Sequence, residues 1–160
     1  MKLLKFKLMR TPVGTLKIVI SDSALVAILW DNEKPNRVIL DQMDEDFNNP
    51  LLLKVEKQLQ EYFNGQRKAF DVPLGMQGTL FQMAVWDELK QIPFGSTSSY
   101  QEIARKLNNP KAVRAVGSAN GRNPISIIVP CHRVIGADGK LSGFAGGVDR
   151  KKILLDLECA

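Results

Sequence analysis

Short apolar runs near the start of the chain predict β-strands. Residues 16–20 and 25–30 are apolar and rich in β-branched side chains, and the polar segment 21–23 separates them. This pattern is typical of two strands joined by a hairpin-type connection. The acidic segment 41–46 is predicted to be a solvated loop. The first 75 residues are therefore expected to form a small α/β unit with a short antiparallel sheet.

A helical period replaces the strand pattern further along the chain. A helix is expected over about residues 50–64, with Asn49 as its N-cap and Gly65 at its end. We interpret its apolar stripe as core with no catalytic part; the stripe consists of Leu52, Val55, Leu59 and Tyr62.

Two glycines, Gly75 and Gly78, mark a predicted boundary between two domains, residues 1–75 and 76–160. Directly afterwards, Thr79 and Gln82 fit a capping box. The helix that follows has one apolar stripe and is expected to stop before Pro93. That stripe consists of Phe81, Val85, Leu89 and Ile92, with Trp86 packing beside it.

Two short helices separated by a sharp turn are predicted next. Ser99 and Glu102 fit a second capping box, which opens a helix reaching about Leu107. The Asn-Asn-Pro segment 108–110 breaks this helix, and a second one is expected over about residues 111–119. The pattern indicates a helix-turn-helix. Helical hairpins also occur in domains that bind no DNA, so that alternative stays open.

The second of these helices carries mostly small side chains. Arg114 is its only long side chain after Lys111. A helix that reads the major groove needs long polar side chains to reach base edges. The composition therefore favours close approach to a minor groove, with Arg114 entering the groove or the base stack. Tight packing of the helix in the core is the alternative.

Positive charge is concentrated in the second half of the chain. The net charge is +5, yet residues 98–152 alone carry +7 and the remainder −2. Such a stretch is expected of a surface that meets phosphates, and equally of a merely basic domain. There is no apolar run of membrane-span length and no signal-peptide pattern. We therefore expect a cytoplasmic, nucleoid-associated protein.

Candidate chemistry centres on the adjacent residues Cys131 and His132. His132 is the only histidine, and Cys159 is the only other cysteine. Free thiols and no metal are expected, because three ligands are too few for structural zinc. A buried strand is predicted over residues 125–129, and it would hold Cys131 rigidly beside a cleft.

The neighbours of Cys131 suggest how its sulfur is activated. An adjacent imidazole and the guanidinium of Arg133 favour the thiolate, which is a soft nucleophile suited to attack on an alkyl carbon. Neighbouring side chains of extended chain point in opposite directions, so a bridging water is expected to carry the proton between Cys131 and His132. A buried structural cysteine is the alternative reading.

At this point the sequence resembles a known family. The run Pro-Cys-His-Arg-Val at residues 130–134, preceded by Asn123-Pro124, resembles the active-site signature of the O6-alkylguanine-DNA alkyltransferases. The resemblance covers roughly residues 79–158 and is weaker over the N-terminal half. It extends through Gly95, segment 99–101, Asn109-Pro110, segment 115–117, segment 143–147 and Glu158.

The resemblance implies an α+β fold in which the C-terminal domain is mainly helical with a winged-helix-like helix-turn-helix. It also implies roles for five catalytic-site residues. Cys131 would accept the alkyl group irreversibly, one lesion per molecule, and His132 would deprotonate it. Glu158 would orient His132, and Asn123 would hold the turn that carries the cysteine. Tyr100 would help to rotate the nucleotide outward and protonate the leaving guanine.

Further residues are implied for the pocket and the DNA surface. The backbone of Cys131 and Val134 would read the guanine amino group, and the pocket would be formed by Val134, Phe144, Ala145 and Gly146. The DNA-binding residues would be Arg114, Gln101, Ala112, Val113, Ala115, Gly117, Ser118 and Arg122. Phe144 and Ala145 stand where some members carry tyrosine and serine, which leaves the preferred alkyl size open.

The expected partner is double-stranded DNA containing O6-alkylguanine, bound by a monomer without cofactor. Two competing hypotheses remain. One is a non-catalytic sensor that flips damaged bases, although the relatives of that kind lack the cysteine. The other is a Cys-His hydrolase, which normally recruits a histidine remote in sequence, and this chain has none.

Overall fold

The structure is a computed structural model that describes residues 3–141 and 143–159. Its elements in chain order are β1 (Leu4–Thr11), β2 (Gly14–Ile20), β3 (Leu25–Leu29), β4 (Met43–Glu45), α1 (Pro50–Phe63), α2 (Leu80–Leu89), β5 (Ser98–Ser99), α3 (Tyr100–Lys106), α4 (Val113–Gly121), a 3₁₀ turn (Cys131–Arg133), β6 (Val134–Ile135) and α5 (Val148–Cys159). The predicted α+β class is confirmed.

The N-terminal sheet has the strand order β3-β2-β1-β4. β1, β2 and β3 are antiparallel neighbours, which confirms the predicted hairpin between the second and third strands. The prediction of a solvated loop over residues 41–46 is wrong, because β4 pairs there in parallel with β1. An edge strand with polar side chains in solvent lacks the apolar alternation that identifies strands.

Helix α1 begins and packs as its sequence predicts. The Asn49 side chain accepts hydrogen bonds from the backbone N–H groups of Leu51 and Leu52 at 2.9 and 3.3 Å. The helix lies against β1 and β2. Its buried face contains the four predicted residues Leu52, Val55, Leu59 and Tyr62, together with Gln58.

Helix α2 packs against α4, the second helix of the helix-turn-helix. Thr79 and Gln82 form the predicted capping box in both directions. The indole N–H of Trp86 donates to the carbonyl of Ala119 in α4 at 2.9 Å, which ties the two helices together. The predicted packing role of Trp86 is thus confirmed.

Helices α3 and α4 form the predicted helix-turn-helix. Ser99 caps α3 by accepting from the backbone N–H of Glu102 at 3.0 Å. The turn contains Asn108 at φ +57°, a left-handed conformation that asparagine tolerates. Helix α4 begins at Val113 and ends at Gly121, two residues later at each end than predicted. The short parallel pair β5–β6 lies beside this unit.

The buried strand predicted over residues 125–129 does not form. The segment is irregular, with one isolated bridge between Ile28 and Ile125 and with Ile127 at φ +74°. Its residues are apolar because they fill the core, and apolar runs alone do not distinguish a strand from a buried turn. Cys131 therefore follows a buried turn and begins a 3₁₀ turn, which also corrects the expectation of extended chain there.

One hydrophobic cluster contains residues from both halves of the chain. Its members include Leu16 and Ile28 from the sheet, Leu59 from α1, Val85 from α2 and Val116 from α4. Because one core contains residues of both halves, the N-terminal sheet and the helix-turn-helix pack together. None of the helices in residues 3–141 and 143–159 is long and apolar enough to cross a lipid bilayer.

Candidate active site

Asn123 organises the turn that carries the cysteine. Its side chain is fully buried, and its amide nitrogen donates to the carbonyls of Val129 at 2.8 Å and Ile125 at 3.4 Å. Its amide oxygen accepts from the backbone N–H of Ile125 at 3.0 Å. One side chain thus closes the loop from residue 123 to residue 129 and fixes the approach of the chain to Cys131.

Cys131 is 2% exposed. Burial raises the pKa of its thiol, while a hydrogen bond from Asn123 and the positive charges of Arg37 and Lys151 act in the opposite direction. The resting thiol therefore needs a base when it reacts. Cys131 and Cys159 are both free cysteines, and Cys159 is exposed.

His132 follows Cys131 in the same 3₁₀ turn. Its ring is buried, and Nε2 lies 2.6 Å from Glu158 Oε2. A carboxylate oxygen only accepts, so Nε2 carries the proton and Nδ1 holds the free lone pair. Burial lowers the pKa of His132, opposed by its hydrogen bond to Glu158. Among the described residues Nδ1 has no hydrogen-bond partner, which leaves it available to accept a proton.

Glu158 is the centre of a buried hydrogen-bond cluster. Arg133 donates to its two oxygens at 2.8 and 3.1 Å, and the Tyr62 hydroxyl lies 2.5 Å from Oε2. Burial alone would raise the pKa of Glu158, but the bonds from His132 and Arg133 outweigh it and lower the pKa to about 2. Glu158 is therefore ionised at neutral pH.

This cluster corrects the interpretation of Arg133 and adds a contact to that of Tyr62. Arg133 binds Glu158, so its charge supports the carboxylate that holds His132; the cations that act on the Cys131 thiol are Arg37 and Lys151. The prediction of Tyr62 as core is confirmed by its burial, and its hydroxyl in addition reaches Glu158 from the other half of the chain. A helical stripe predicts which face is buried, but not which polar atom meets the tip of a tyrosine.

Lys151 is a buried site residue that sequence reasoning missed. Its ammonium donates to the carbonyl of Val134 at 2.6 Å, and its positive charge lowers the pKa of the Cys131 thiol. Lysine is almost never fully buried without a specific partner. The sequence offers no clear signal for this burial, because the buried residues of α5 are Lys151, Leu154 and Glu158, and two of these three are charged.

The backbone groups around Val134 are already engaged. Its N–H donates to the carbonyl of Cys131, which also accepts from the Asn120 side chain at 3.4 Å. A carbonyl oxygen has two lone pairs, so the Val134 carbonyl, which accepts from Lys151 at 2.6 Å, has capacity for a second donor.

Tyr100 lies between α4 and the cysteine. It is half-buried at the start of α3, and a side chain at Gly117 would come within 3.9 Å of its ring. Burial raises the pKa of its hydroxyl, and a negative charge on Cys131 raises it further. Tyr100 is therefore protonated at neutral pH and electrostatically coupled to the sulfur.

The predicted pocket loop 143–147 packs on the N-terminal half. The Phe144 ring meets Trp30 edge-on at a centroid distance of 5.4 Å, and a methyl group at Gly146 would lie 2.8 Å from the Trp30 ring. Ala145, which lies between Phe144 and Gly146 in the chain, is half-buried. The Trp30 indole in turn donates to the Ser126 hydroxyl at 3.0 Å, which links this loop to the turn preceding Cys131.

The residues predicted to meet DNA are accessible in the free protein. Val116, Ala119 and Asn120 are the buried residues of α4. The predicted contact residues are instead exposed or half-buried: Gln101, Ala112, Val113, Arg114, Ala115, Gly117, Ser118 and Arg122. Ala115 and Ser118 are exposed and Gly117 is half-buried, whereas Ala119 packs in the core, so tight core packing accounts for only one side of α4.

Two cavities lie away from the sulfur. One of about 560 Å³ lies between the 36–41 loop, Gln82 and Arg122, and the other, of about 320 Å³, lies between Phe70, Phe94 and Pro130. Cys131 lines neither of them. Within residues 3–141 and 143–159, no group of three or more metal-ligating side chains is assembled.

Fold and site together define a helix-turn-helix protein with a buried cysteine beside a carboxylate-held histidine. Two family models cover almost the whole chain: the ribonuclease-like domain of 6-O-methylguanine DNA methyltransferase matches residues 4–76, and its DNA binding domain matches residues 80–160. The chain belongs to the 6-O-methylguanine DNA methyltransferase family.

Individual relatives agree with the family assignment. A methylated-DNA–protein-cysteine methyltransferase of Methanosarcina acetivorans is 46% identical over 153 residues, covering 96% of this chain and 97% of the relative. One of Haemophilus influenzae is 44% identical, covering 92% and 82%. The crystal structure of Mycobacterium tuberculosis OGT in complex with DNA superposes with a TM-score of 0.87 at 43% identity, covering 98% of this chain and 92% of that one.

Proposed function

We propose that this protein repairs DNA by transferring the alkyl group of O6-alkylguanine directly and irreversibly onto Cys131. The observation that carries the proposal is the hydrogen-bonded pair His132–Glu158 beside the cysteine, with His132 Nδ1 available as a base. Relatives named methylated-DNA–protein-cysteine methyltransferases and a neighbour solved with DNA support the same chemistry.

The proposed transfer begins at the Cys131 thiol. The Cys131 S–H proton passes through a water to His132 Nδ1, and Glu158 stabilises the imidazolium that forms. The thiolate attacks the alkyl carbon; the S–C bond forms, the C–O6 bond breaks, and its electron pair stays with the guanine. The Tyr100 hydroxyl gives a proton to that guanine, and the proton taken up by His132 then restores the Tyr100 hydroxyl through solvent. The thioether has no easy hydrolysis route, so each molecule acts once.

DNA binding would use the exposed face of α4 in the minor groove. An alkyl group on O6 is out of reach inside a stacked duplex, so the nucleotide must be rotated outward, which costs a few kcal/mol. Tyr100 assists that rotation, and Arg114 fills the gap in the stack. Because Cys131 is 2% exposed in the free protein, the side chains that cover it must also move when the base enters.

The proposal also covers oligomeric state, domain division, cofactors and location in the cell. The chain acts as a monomer, and residues 1–75 and 76–160 are its two domains. It needs no cofactor or metal. Two free thiols fit the reducing conditions of the cytoplasm, where the protein would associate with the nucleoid.

Intact-mass measurement tests the acceptor directly. Wild type incubated with duplex DNA carrying O6-methylguanine is expected to gain one methylene, and peptide mapping is expected to place it on Cys131. Cys131→Ala should gain nothing, whereas Cys159→Ala, which removes the exposed thiol, should gain the same mass as wild type. Full lesion binding by folded wild type without a mass change would reject the proposal in favour of a sensor.

Arg114→Ala is expected to slow transfer from duplex DNA about tenfold or more, because an unfilled stack costs more than 1 kcal/mol. Transfer from free O6-benzylguanine, which needs no flipping, should be nearly normal. Single-turnover rates on the two substrates check this. Arg67→Ala, which removes one positive charge from the N-terminal half, serves as the control. Equal losses on both substrates would contradict a flipping role for Arg114.

A further inference from the structure

Tyr62 connects the N-terminal half to the proposed proton relay. It lies on α1, is fully buried, and its hydroxyl is 2.5 Å from Glu158 Oε2. The same oxygen accepts from His132 Nε2 at 2.6 Å and from Arg133 Nη2 at 3.1 Å. A single carboxylate oxygen thus separates a hydroxyl of the N-terminal half from the imidazole beside Cys131.

The position of this hydroxyl is fixed by the packing around its ring. Phe63, Phe70 and Phe94 surround the Tyr62 ring at centroid distances of 5.3, 5.5 and 6.1 Å. Phe94 also stacks on the guanidinium of Arg133 at 5.8 Å, so the same aromatic cluster holds both donors to Glu158. This packing holds the Tyr62 hydroxyl against the Glu158 carboxylate.

Tyr62 remains a donor throughout the working pH range. Burial and the negative charge of Glu158 both raise the pKa of its hydroxyl far above the ordinary value. A hydroxyl that donates to a carboxylate stabilises the ionised form and weakens its attraction for other protons. Tyr62 therefore acts on the oxygen that determines how strongly His132 holds its proton.

We propose that Tyr62 is a positioning residue for alkyl transfer: it holds Glu158 Oε2 against His132 and limits the basicity of that imidazole. This inference rests on the proposed function, because it assigns Tyr62 a part in the same relay. It also gives the N-terminal half a chemical contribution to the acceptor site beyond support of the fold.

The charged groups around His132 determine the direction of the expected effect. Glu158 on α5 favours the imidazolium, whereas Arg133 in the 3₁₀ turn and Lys151 on α5 oppose it. Tyr62→Phe removes one oxygen atom and leaves all of these charges in place. Glu158, with one donor fewer, would attract the imidazole proton more strongly, so the pKa of His132 should rise. The base would then be protonated at a higher pH.

The test is the pH profile of single-turnover transfer from free O6-benzylguanine, which avoids any pH dependence of DNA binding. The acid limb of Tyr62→Phe should lie about 0.5 to 1 pH unit above that of wild type, corresponding to rates about three- to tenfold lower on that limb. The rates should converge at higher pH. Phe63→Leu disturbs the same aromatic cluster without touching Glu158 and should leave the limb in place.

A second readout does not depend on transfer. His132 is the only histidine, so tag-free protein gives one set of imidazole NMR signals. Their protonation should begin at higher pH in Tyr62→Phe than in wild type. If Tyr62→Phe and wild type have the same acid limb and the same imidazole titration, the positioning role is overturned. A loss of rate in Tyr62→Phe that is the same at every pH would also overturn it. In both cases transfer by wild type still supports the proposed function. A wild type that transfers nothing would reject the proposed function itself.

Discussion

Glu158→Gln is expected to lower the free energy of unfolding by about 3 kcal/mol at neutral pH and to slow alkyl transfer about a hundredfold. The Glu158 side chain is buried and receives donors from His132, Arg133 and Tyr62. An amide offers one acceptor oxygen and two donors of its own, so at least one of these bonds becomes a donor–donor contact. The charge of Arg133 is then buried without its carboxylate.

The contribution of Glu158 to the free energy of unfolding depends on pH, and the lowered pKa of Glu158 sets the direction of that dependence. The pKa of Glu158 is lowered from its ordinary value of 4.5 to about 2 in the folded protein. A depressed carboxyl pKa stabilises the fold fully above about pH 4.5, and this contribution disappears as the pH falls towards 2. The difference in unfolding free energy between wild type and Glu158→Gln should shrink across that window.

Chemical denaturation at a series of pH values measures this difference, and the single-turnover rate with O6-benzylguanine measures the transfer. Glu56→Gln is the matched control, because Glu56 pairs with Lys7 at 2.7 Å where both side chains are 18% exposed. Partly exposed pairs contribute about 1 kcal/mol or less. Equal destabilisation by the two substitutions, or a difference that persists at pH 2, would contradict the assigned role of Glu158.

Asn123→Ala is expected to lower the free energy of unfolding by about 3 kcal/mol and to slow transfer about a hundredfold. The substitution leaves the Ile125 N–H without its partner and leaves the Val129 carbonyl with the Cys131 N–H as its donor, inside the buried turn. That turn also holds Ile127 at φ +74°, a conformation that β-branched residues adopt only when their surroundings impose it. Without Asn123 the turn should relax and displace the sulfur of Cys131.

Two variants separate the parts played by this side chain. Asn123→Asp keeps the size and the oxygen that accepts from Ile125, but faces the Val129 carbonyl with a second acceptor, so it should also slow transfer. Asn120→Ala removes one bond of 3.4 Å to the Cys131 carbonyl and should have a smaller effect on both measurements. Wild-type stability and rate in Asn123→Ala would show that other contacts hold the turn.

Local patterns predicted the regular elements correctly where short-range interactions decide them. The cap at Asn49 and the capping box at Thr79 involve residues two or three apart, and both are present as expected. The helix-turn-helix likewise depends on a cap at Ser99 and a break before α4. The edge strand β4 and the turn before Cys131 were missed, because pairing with β1 and the bonds of Asn123 decide their conformation.

The sequence by itself determined helices α1 to α4, the two-residue reactive centre Cys131–His132 and the basic half of the chain, whereas α5 was not predicted from it. Each of these is visible in neighbouring residues or in composition. Only the tertiary structure decided which charged and polar groups surround that centre. Arg133 binds Glu158, the buried Lys151 donates to the Val134 carbonyl, and the Tyr62 hydroxyl reaches Glu158 from α1. These contacts join residues far apart in the chain, and the effect of a charge depends on burial and on distances of a few ångströms.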